Sequence, residues 1–428
     1  MLRYRKKRYE VITPSNMASV TTASVKGQSL TFEVSAPNEW IDLGSLVFDA
    51  TALVRLWDTS LTPDAYRILA TGDNITFARG GFLNALASVE VRINNCNVVN
   101  SMTPLDDAMF FYLNSSSDID WNGVLEPHWL KSAVADRKSQ FIDQDNSGLY
   151  HLMFKIPFGA TFEERYAPGC KVTVILRLHS DFHKRIFETT DGSTDSAAAL
   201  VDATTTTNGE IFVDLKSIKM FVAVVEYDLP SSKSWSFRYT KVSTERIGSL
   251  ASSLSTSKSV KQETKKVALW FKDTGAVNTL YPSGNFIPRL ANMFTPASLD
   301  ASAVLTDIGV VFNGISYPNV SYRNEYSVNG LSKNNLRGRP YSETVSAVSL
   351  YNSDESRAIS ASSYVKNPFF MWDVSRGDAA RQADTITVYF TAGAALTNME
   401  LIMVTAYDAG VEFQLSHGQV THVANAEV

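Results

Sequence analysis

The chain has 428 residues, of which 44% are hydrophobic and 19% are charged, and its formal net charge is −5 at pH 7. This length allows two to four ordinary domains or two large β domains, each long enough to bury a substantial core. The negative charge excludes the chain as a whole from the polyanion binders, and its many Thr, Val, Phe and Tyr residues indicate a folded, β-rich protein.

The cysteines and the hydropathy pattern exclude several further classes. Two cysteines, Cys96 and Cys170, are too few for a disulfide framework or a zinc site, so a reducing compartment is expected. No apolar run reaches the roughly 18 residues that a membrane-spanning helix needs. The N-terminus has a charged start but lacks the apolar segment of a secretory signal peptide, so we expect no signal peptide here.

The first ten residues are basic although the rest of the chain is acidic. The cations are Arg3, Arg5, Lys6, Lys7 and Arg8, and they are interleaved with Tyr4 and Tyr9. One interpretation is a disordered, solvated tail. The other is a short arm that contacts nucleic acid or an anionic membrane, where each cation near the surface contributes about 1 kcal/mol.

Apolar and polar residues alternate along several segments of the first half, which is the period of a strand with one buried face. These segments are residues 30–34, 52–56, 89–93, 172–178 and 218–224. The third ends at the turn motif Asn94-Asn95, and Pro104 opens a predicted short helix with acidic residues in its first turn. Residues 184–210 have no period and are predicted to form a long surface loop.

The second half repeats this order after a short polar stretch at 228–234. Strands are predicted at 235–239, 308–312, 386–390 and 401–415, with a turn motif at Asn313-Gly314. Residues 267–271 are continuously apolar, which is typical of a strand buried on both faces. The polar stretch 327–362 is predicted to be rich in loops. Strands spaced in this way without helical crossovers indicate antiparallel sandwiches or jelly rolls.

No sequence motif for catalysis is convincing. The tripeptide Asp273-Thr274-Gly275 resembles that of aspartic proteases, in which two aspartates share one proton. Here Lys272 precedes the aspartate and no second copy exists, so a turn at the end of a strand is the better interpretation. No phosphate-binding loop, nucleophile elbow or two-histidine zinc helix motif occurs.

Two patterns resemble metal sites only in part. Asp143, Asp145 and Gly148 imitate the start of a calcium-binding loop, but its last ligand position would hold Phe154 instead of glutamate. His179 and His183 are four residues apart, yet they follow a strand and have no third ligand nearby. We therefore predict no catalytic residue, no metal and no cofactor.

Eight segments taken in order carry a resemblance to a known family. They are residues 82–94, 171–182, 218–227, 237–247, 265–273, 313–318, 369–374 and 386–407, and they extend over most of residues 28–422. They include the two asparagine turns and the Ala167-Pro168-Gly169 stretch before a strand. In this order they resemble the double jelly-roll major capsid proteins of polinton-like viruses, adintoviruses, virophages and larger eukaryotic DNA viruses.

The resemblance implies an all-β fold of two tandem eight-stranded antiparallel jelly-roll barrels, a double jelly roll, with short helices in its loops. It divides the chain into a basic N-terminal arm (1–27), a first jelly roll (28–228), a linker (229–234), a second jelly roll (235–416) and a C-terminal tail (417–428).

The resemblance also implies the function, which is that of a major capsid protein without enzymatic activity. Its main partner would be itself, because homotrimers form pseudo-hexameric capsomers that tile an icosahedral viral shell. The virion would assemble in the host cytoplasm or nucleus. Penton or minor capsid proteins are further expected partners, as are the genome or an internal membrane through the N-terminal arm. No cofactor and no small-molecule substrate are implied.

The alternative from another class is a carbohydrate-binding or hydrolytic β-sandwich protein. Such a protein would need a cleft with clustered aromatic residues and paired carboxylates. The candidate residues are dispersed along the chain, at Trp121, Trp129, Trp235, Trp270 and Glu163-Glu164. The mass in solution separates the two functions, because a trimer favours the capsid protein and a monomer favours the enzyme or lectin.

Overall fold

The structure is a computed structural model. It describes residues 6–15, 20–21, 29–58, 65–68, 75–77, 82, 85–94, 96–99, 148–156, 166–179, 182, 187–189, 211–226, 234–248, 250–261, 263–273, 305–322, 339–349, 370–375, 384–392, 395–396, 399–416 and 419–426. In these ranges β-strands predominate, and the principal helix is α1 (Arg339–Ser349). No helix in them is long and apolar enough to cross a bilayer.

The first half folds into one β-barrel. Its strands are β1 (Lys6–Ile12), β2 (Val20–Thr21), β3 (Ser29–Ser35), β4 (Trp40–Asp58), β5 (Ala65–Arg67), β6 (Ile75–Phe77), β7 (Leu86–Ile93), β8 (Cys96–Val99), β9 (Leu149–Lys155), β10 (Tyr166–Pro168), β11 (Lys171–Leu178), β12 (Phe187–Thr189) and β13 (Ile211–Glu226). One sheet has the order β1-β13-β4-β10, with β9 also on β4, and the other has the order β3-β11-β7-β8.

The second half repeats this topology. Its strands are β14 (Ser234–Ile247), β15 (Ser253–Ser259), β16 (Thr264–Asp273), β17 (Leu305–Phe312), β18 (Ile315–Tyr317), β19 (Phe370–Asp373), β20 (Thr385–Ala392), β21 (Met399–Ser416) and β22 (Gln419–Ala426). The sheets have the orders β14-β21-β16-β19 and β15-β20-β17-β18. The eight jelly-roll strands are β1, β3, β4, β7, β8, β10, β11 and β13 in the first barrel, and β14 to β21 in the second. Counted in this way, the first, eighth, third and sixth strands of each barrel form one sheet. The second, seventh, fourth and fifth form the other, which is the jelly-roll order.

The alternating segments form the barrel cores as predicted. Along β3, the side chains of Leu30, Phe32 and Val34 are buried, and the polar residues between them are more exposed. The predicted alternations in β7, β11 and β13 likewise direct their apolar residues into the first core. Burying each such side chain stabilises the fold by about 1.5–3 kcal/mol.

The continuous apolar run at 267–271 is buried on both faces, as predicted. On β16, Val267, Leu269 and Phe271 point into the core of the second barrel. Ala268 and Trp270 point the other way and belong to the apolar cluster of the first barrel. The run lacks alternation because the sheet that contains β16 is packed between two cores.

Both predicted asparagine turns are present. Asn313 and Gly314 connect β17 to β18 with φ values of 54° and 75°, which is the combination that favours a tight hairpin turn. In the first barrel Asn94 has a φ of 51°, and its side-chain oxygen accepts a hydrogen bond of 2.9 Å from the Lys171 backbone NH. Each turn therefore begins with an asparagine in the left-handed region, where this residue type is tolerated.

Several segments that were expected to be irregular or peripheral contain regular structure. Lys6–Ile12, in the predicted arm, forms β1 and pairs with β13, so the first sheet begins well before residue 28. Gln419–Ala426, in the predicted tail, pairs with β21 as β22. Helix α1 lies in the stretch 327–362, and β12 lies in the predicted loop 184–210, where it pairs with β6. Long-range pairing stabilises the three strands among these segments, and a local pattern does not reveal it.

Candidate interaction surfaces

The two barrels meet at a junction between β8 and β10 of the first barrel and β14 of the second. The Tyr239 hydroxyl on β14 donates a hydrogen bond of 2.9 Å to the Val98 carbonyl on β8. The indole NH of Trp235 donates a 3.3 Å hydrogen bond to the Tyr166 carbonyl on β10. Trp235 also packs edge-on against Trp40, with 5.0 Å between ring centroids. These contacts attach the first strand of the second barrel to the flank of the first barrel.

The junction is an extended apolar contact. The outer face of the β14-β21-β16-β19 sheet contributes side chains to the same buried cluster as the first core, namely Phe237, Tyr239, Ala268, Trp270, Met371, Ile402, Val404, Ala406, Val411 and Phe413. Continuous burial across the boundary makes the two barrels one packed unit, because separating them would expose all of these side chains to water.

The C-terminal strand β22 adds to the junction where it passes the start of β11. A Cβ atom built on Gly169 would lie 3.1 Å from the Pro37 carbonyl oxygen and 3.3 Å from Val420 on β22. Gly169 also has a φ of 49°, which side-chain-bearing residues rarely adopt. The glycine at this site, in the predicted Ala167-Pro168-Gly169 stretch, permits the close approach of β22.

The first strand of the first barrel has no such cover. On β1, Tyr9 is 64% exposed and Val11 is 56% exposed, whereas on β14 Phe237 is 8% and Tyr239 is 5% exposed. Leu149 and Met153 on β9 are also exposed. The pairing registers place them on the same outer face of the sheet as Val11. We call these four residues the β1 face.

A second exposed apolar region lies on the flank of the second barrel. Ile315 is 36% exposed and Val320 is 59% exposed, and we call these two residues the β18 flank. Ile315 is the first residue of β18 after its asparagine turn, and Cys96 is the first residue of β8 after the Asn94 turn. The two positions therefore correspond, but Cys96 is only 8% exposed. The β18 flank thus corresponds to the part of the first barrel that the junction covers.

The predicted basic residues are engaged within the chain wherever their side chains are described. Lys7 forms a 3.3 Å ion pair with Asp42, and Arg8 binds Glu39 and Glu10 at 2.6 Å and 2.9 Å. Partial burial by itself would lower the pKa of Lys7. The charge and the hydrogen bond of the Asp42 carboxylate together have the larger effect, so the pKa is raised. The hydrogen bonds to Glu39 and Glu10 also raise the pKa of Arg8.

The remaining predicted cations are not placed by the structure. Lys6 belongs to β1, but its side chain is outside the described part, as are Arg3 and Arg5 altogether. A contact of this segment with nucleic acid or an anionic membrane therefore stays a prediction. Within the chain, carboxylates already balance the charges of Lys7 and Arg8.

One buried lysine in the second barrel was not identified as special from the sequence. The Lys266 ammonium on β16 donates a 2.8 Å hydrogen bond to the carbonyl of Ala347, in the last turn of α1, where the helix dipole favours a cation. Burial lowers the pKa of Lys266 to about 8, and the nearby Asp373 carboxylate opposes this shift. Lys266 thereby connects α1 to the sheet at the junction.

The residues weighed for catalysis or metal binding do not form a site in the described ranges. Asp273 ends β16, while Thr274 and Gly275 lie outside those ranges. His179 directly follows β11, and its backbone NH donates a 2.9 Å hydrogen bond to the Ala85 carbonyl. His183 is not described, nor are Asp143 and Asp145. No group of three potential metal ligands occurs in the described ranges.

The features that a carbohydrate site would need are also not assembled among the described residues. Trp235 and Trp270 pack at the junction, whereas Trp121, Trp129, Glu163 and Glu164 lie outside the described residues. A pocket of about 360 Å³ on the second barrel is lined by hydroxyl groups of β14 and by Glu245 and Lys261. Among the described residues that line it, Glu245 is the only acidic one, and it pairs with Lys258.

Both cysteines are buried and free. Burial raises the pKa of the Cys170 thiol to about 12. Burial also raises the pKa of Cys96, although the Lys241 ammonium across the junction opposes the shift. Neither thiol is therefore activated as a nucleophile at neutral pH.

Comparison with known proteins identifies the fold. No protein-family model and no curated protein sequence matches the chain. A protein in the 3.5 Å cryo-EM structure of the Sputnik virophage is 13% identical and has a TM-score of 0.56, with 99% of this chain and 88% of that chain covered. The Faustovirus major capsid protein is 9% identical with a TM-score of 0.53, and the match covers 95% of this chain and 90% of that one. Together with the strand order of the sheets, these likenesses show that the chain has the double jelly-roll fold.

Proposed function

We propose that this protein is a major capsid protein, a structural subunit without enzymatic activity that assembles with copies of itself into the shell of a virion. The observation that carries the proposal is the repetition of one jelly-roll strand order in two barrels that share a buried junction. The same fold in the Faustovirus major capsid protein supports it.

The duplication has a geometric consequence for assembly. Three chains with two similar barrels each supply six similar units, and six units around one axis can tile a surface as a hexagon does. A homotrimer is the smallest closed assembly that provides them. We therefore propose a homotrimeric, pseudo-hexameric capsomer that packs with its neighbours into an icosahedral shell.

The barrels also limit how the copies can associate. A jelly roll leaves few open sheet edges, so addition of strands between subunits is disfavoured. Association through loops and barrel flanks remains, and the exposed apolar side chains on the β1 face and the β18 flank supply suitable area. Exposed apolar patches of this kind commonly mark interaction sites.

The alternative function in carbohydrate binding or hydrolysis has less support. The tryptophans whose side chains are described, Trp40, Trp235, Trp270 and Trp372, pack within the protein. A carbohydrate site would instead need aromatic rings on the wall of a cleft. The burial of Trp270 in particular is explained by the junction, because this side chain extends from β16 and covers the core of the first barrel.

The further partners follow from the proposal. Penton or minor capsid proteins would complete the shell where the hexagonal tiling requires other symmetry. The N-terminal segment would contact the genome or an internal membrane through Arg3, Arg5 and Lys6, because Lys7 and Arg8 are already paired with carboxylates. Binding that weakens steeply with added salt would support this contact.

The decisive experiment is the mass in solution by light scattering, on a sample that is also imaged by negative-stain electron microscopy. We expect particles of three times 47.2 kDa that appear as hexagonal rings, or closed shells assembled from them. Monomers that do not associate at any concentration tested would contradict the proposal, and glycan-binding and hydrolase assays on the same sample would then test the alternative.

A further inference from the structure

We propose that the second barrel binds a small oxyanion, namely a phosphate or sulfate group that is free or esterified to a polyol, in the pocket between its two sheets. Binding of this kind is separate from the capsid function and does not depend on it. The pocket has a volume of about 360 Å³. The polar residues that form the site are Ser243 and Glu245 on β14, Thr405 and Tyr407 on β21, and Ser259 and Lys261 at or just after the end of β15.

A comparison of β3 with β15 shows how the second barrel comes to be polar at this place. Both are seven-residue second strands of their barrels, and each pairs with the seventh strand. On β3, Phe32 and Val34 are buried in the first core. The corresponding positions of β15 hold Thr256 and Lys258, which are only partly buried. The second barrel therefore has polar side chains where the first barrel has core residues.

The Lys258 side chain forms an ion pair between the two sheets. Its ammonium lies 2.8 Å from a carboxylate oxygen of Glu245 on β14, and β14 and β15 belong to different sheets. Glu245 is opposite Met403, which is part of the second core, so its carboxylate is on the inner face of the barrel. A carboxylate that is paired with an ammonium repels an incoming anion less than a free one does.

Hydroxyl groups supply hydrogen-bond donors on the wall of the pocket. Ser243 lies opposite Thr405 in the strand pairing, and both line the pocket with Ser259 and Tyr407. Burial raises the pKa of Tyr407, and the Glu263 carboxylate adds to this shift. The Tyr407 hydroxyl therefore stays protonated at neutral pH and can donate a hydrogen bond to a ligand oxygen.

Two lysines select an anion over a neutral ligand. Lys261 lines the pocket, and Lys241 is directly opposite Tyr407 in the strand pairing. Burial lowers the pKa of Lys241, and the Lys261 ammonium lowers it further. The other group that acts on Lys241 is the Cys96 thiol, which burial keeps protonated. The two ammonium groups thus repel each other, and a bound anion would offset this repulsion.

The volume of the pocket indicates the size of the ligand. About 360 Å³ lies in the range of small-molecule sites, roughly 300–1,000 Å³, and is more than a single phosphate ion fills. Hydroxyl groups on the wall that do not contact the anion can bind the hydroxyl groups of an attached polyol. The ligand class therefore includes the free ion and a phosphate or sulfate ester of a sugar.

The test measures binding to the full-length chain by isothermal titration calorimetry and thermal melts at pH 7 and constant ionic strength. The probes are inorganic phosphate, glucose 6-phosphate and glucose, with sodium chloride as the reference. Lys261→Gln removes a pocket cation, and Thr405→Val removes a pocket hydroxyl with little change of shape. Lys219→Gln is the matched control, because Lys219 is an exposed lysine on β13 of the first barrel.

We expect saturable binding of at least one phosphate compound to one site per chain, and a higher melting temperature than in sodium chloride, because a ligand that binds only the folded state stabilises it. Lys261→Gln should weaken binding about tenfold or more, since it removes a charged hydrogen-bond donor. Thr405→Val should weaken binding about fivefold, since it removes a neutral donor. Lys219→Gln should bind as the unmodified chain does.

The probes also identify the source of the oxyanion. Equal affinities for inorganic phosphate and glucose 6-phosphate would assign the site to the free ion, and much tighter binding of glucose 6-phosphate would assign it to an ester. Glucose that binds as tightly as glucose 6-phosphate would overturn the inference, because the pocket would then recognise hydroxyl groups without the anion.

Three further results would overturn the inference. The first is that neither phosphate compound binds the unmodified chain. The second is that Lys261→Gln or Thr405→Val leaves binding unchanged, because the anion would then bind elsewhere. The third is that Lys219→Gln weakens binding as much as Lys261→Gln does, because the effect would then come from the net charge of the chain.

Discussion

The first strands of the two barrels occupy the same place in the same topology, yet their surroundings are opposite. On β14, Phe237 and Tyr239 are buried against the first barrel, whereas on β1, Tyr9 and Val11 face solvent. The two strands have equivalent partners, because β1 pairs with β13 and β14 pairs with β21. The comparison teaches that the strand order determines which face a side chain occupies, but that the neighbouring barrel determines whether this face is buried.

The largest effect should come from the covered sheet. Trp270→Ala removes a fully buried side chain from the junction, and we expect the free energy of unfolding to fall by about 3–5 kcal/mol. The matched change on the uncovered sheet, Tyr9→Ala, should alter it by less than about 0.5 kcal/mol in the monomer. Urea unfolding measures both, and equal losses would contradict the assigned difference between the two faces.

Two lysines, one in each of these sheets, should respond to pH in opposite directions. The pKa of Lys266 is lowered from 10.5 to about 8 by burial, so between these values the unfolded chain binds more protons. The free energy of unfolding, relative to Lys266→Met, should therefore rise by up to about 3 kcal/mol between pH 8 and pH 10.5.

Lys7 should change the free energy of unfolding with pH in the opposite direction. Its pKa is raised above 10.5, because the Asp42 carboxylate outweighs the effect of partial burial. Its contribution to stability is fully present below the unfolded value and is lost as the pH rises through the folded one. Thermal melts of Lys7→Met and of the unmodified chain should therefore converge above pH 10.5, and divergence there would contradict the assigned ion pair.

The hydrogen bond across the junction should have a smaller effect. Tyr239→Phe removes the donor to the Val98 carbonyl, and leaving this acceptor without its partner should cost about 1–3 kcal/mol. Tyr9→Phe is the control on the equivalent strand, and it should change the free energy of unfolding by less than about 0.5 kcal/mol. The comparison would fail if both hydroxyl groups proved equally dispensable in urea unfolding.

The smallest effect on the isolated chain is expected from a substitution at Gly248, which serves as the control for a substitution at the constrained Gly169. A Cβ on Gly248 meets no atom within 4 Å, whereas one on Gly169 is crowded by Pro37 and Val420. Gly248→Ala should therefore leave the melting temperature almost unchanged. Gly169→Ala should lower the melting temperature, because the added Cβ would crowd its neighbours and the backbone φ is already unfavourable for alanine. Melting curves that coincide for the two variants would exclude the proposed packing of β22.

Much of the fold could be predicted because the relevant information is local. The alternation in 30–34 and 172–178 identifies which side chains enter a core, since side chains along a strand point to opposite faces in turn. Asn94 and Asn313 identify turns because their backbone requires a positive φ. The continuous run 267–271 identified a strand covered on both sides.

The candidate surfaces could be predicted only in part. The basic N-terminal segment was identified from its charge, but its place in the sheet depends on pairing with residues 220–226, far along the chain. The β1 face and the β18 flank were missed, because no residue type marks them. Val11 in β1 reads like any other strand residue, and only the position of the other barrel shows that it is left uncovered.

The sequence by itself determined the all-β character of this protein, its two similar halves, its asparagine turns and most of its core residues, because each follows from the period or the backbone preference of neighbouring residues. Only the tertiary structure decided that β1 and β22 join the sheets, that α1 binds Lys266, and which outer face is buried. These features depend on contacts between segments distant in the chain, and such contacts leave no local pattern.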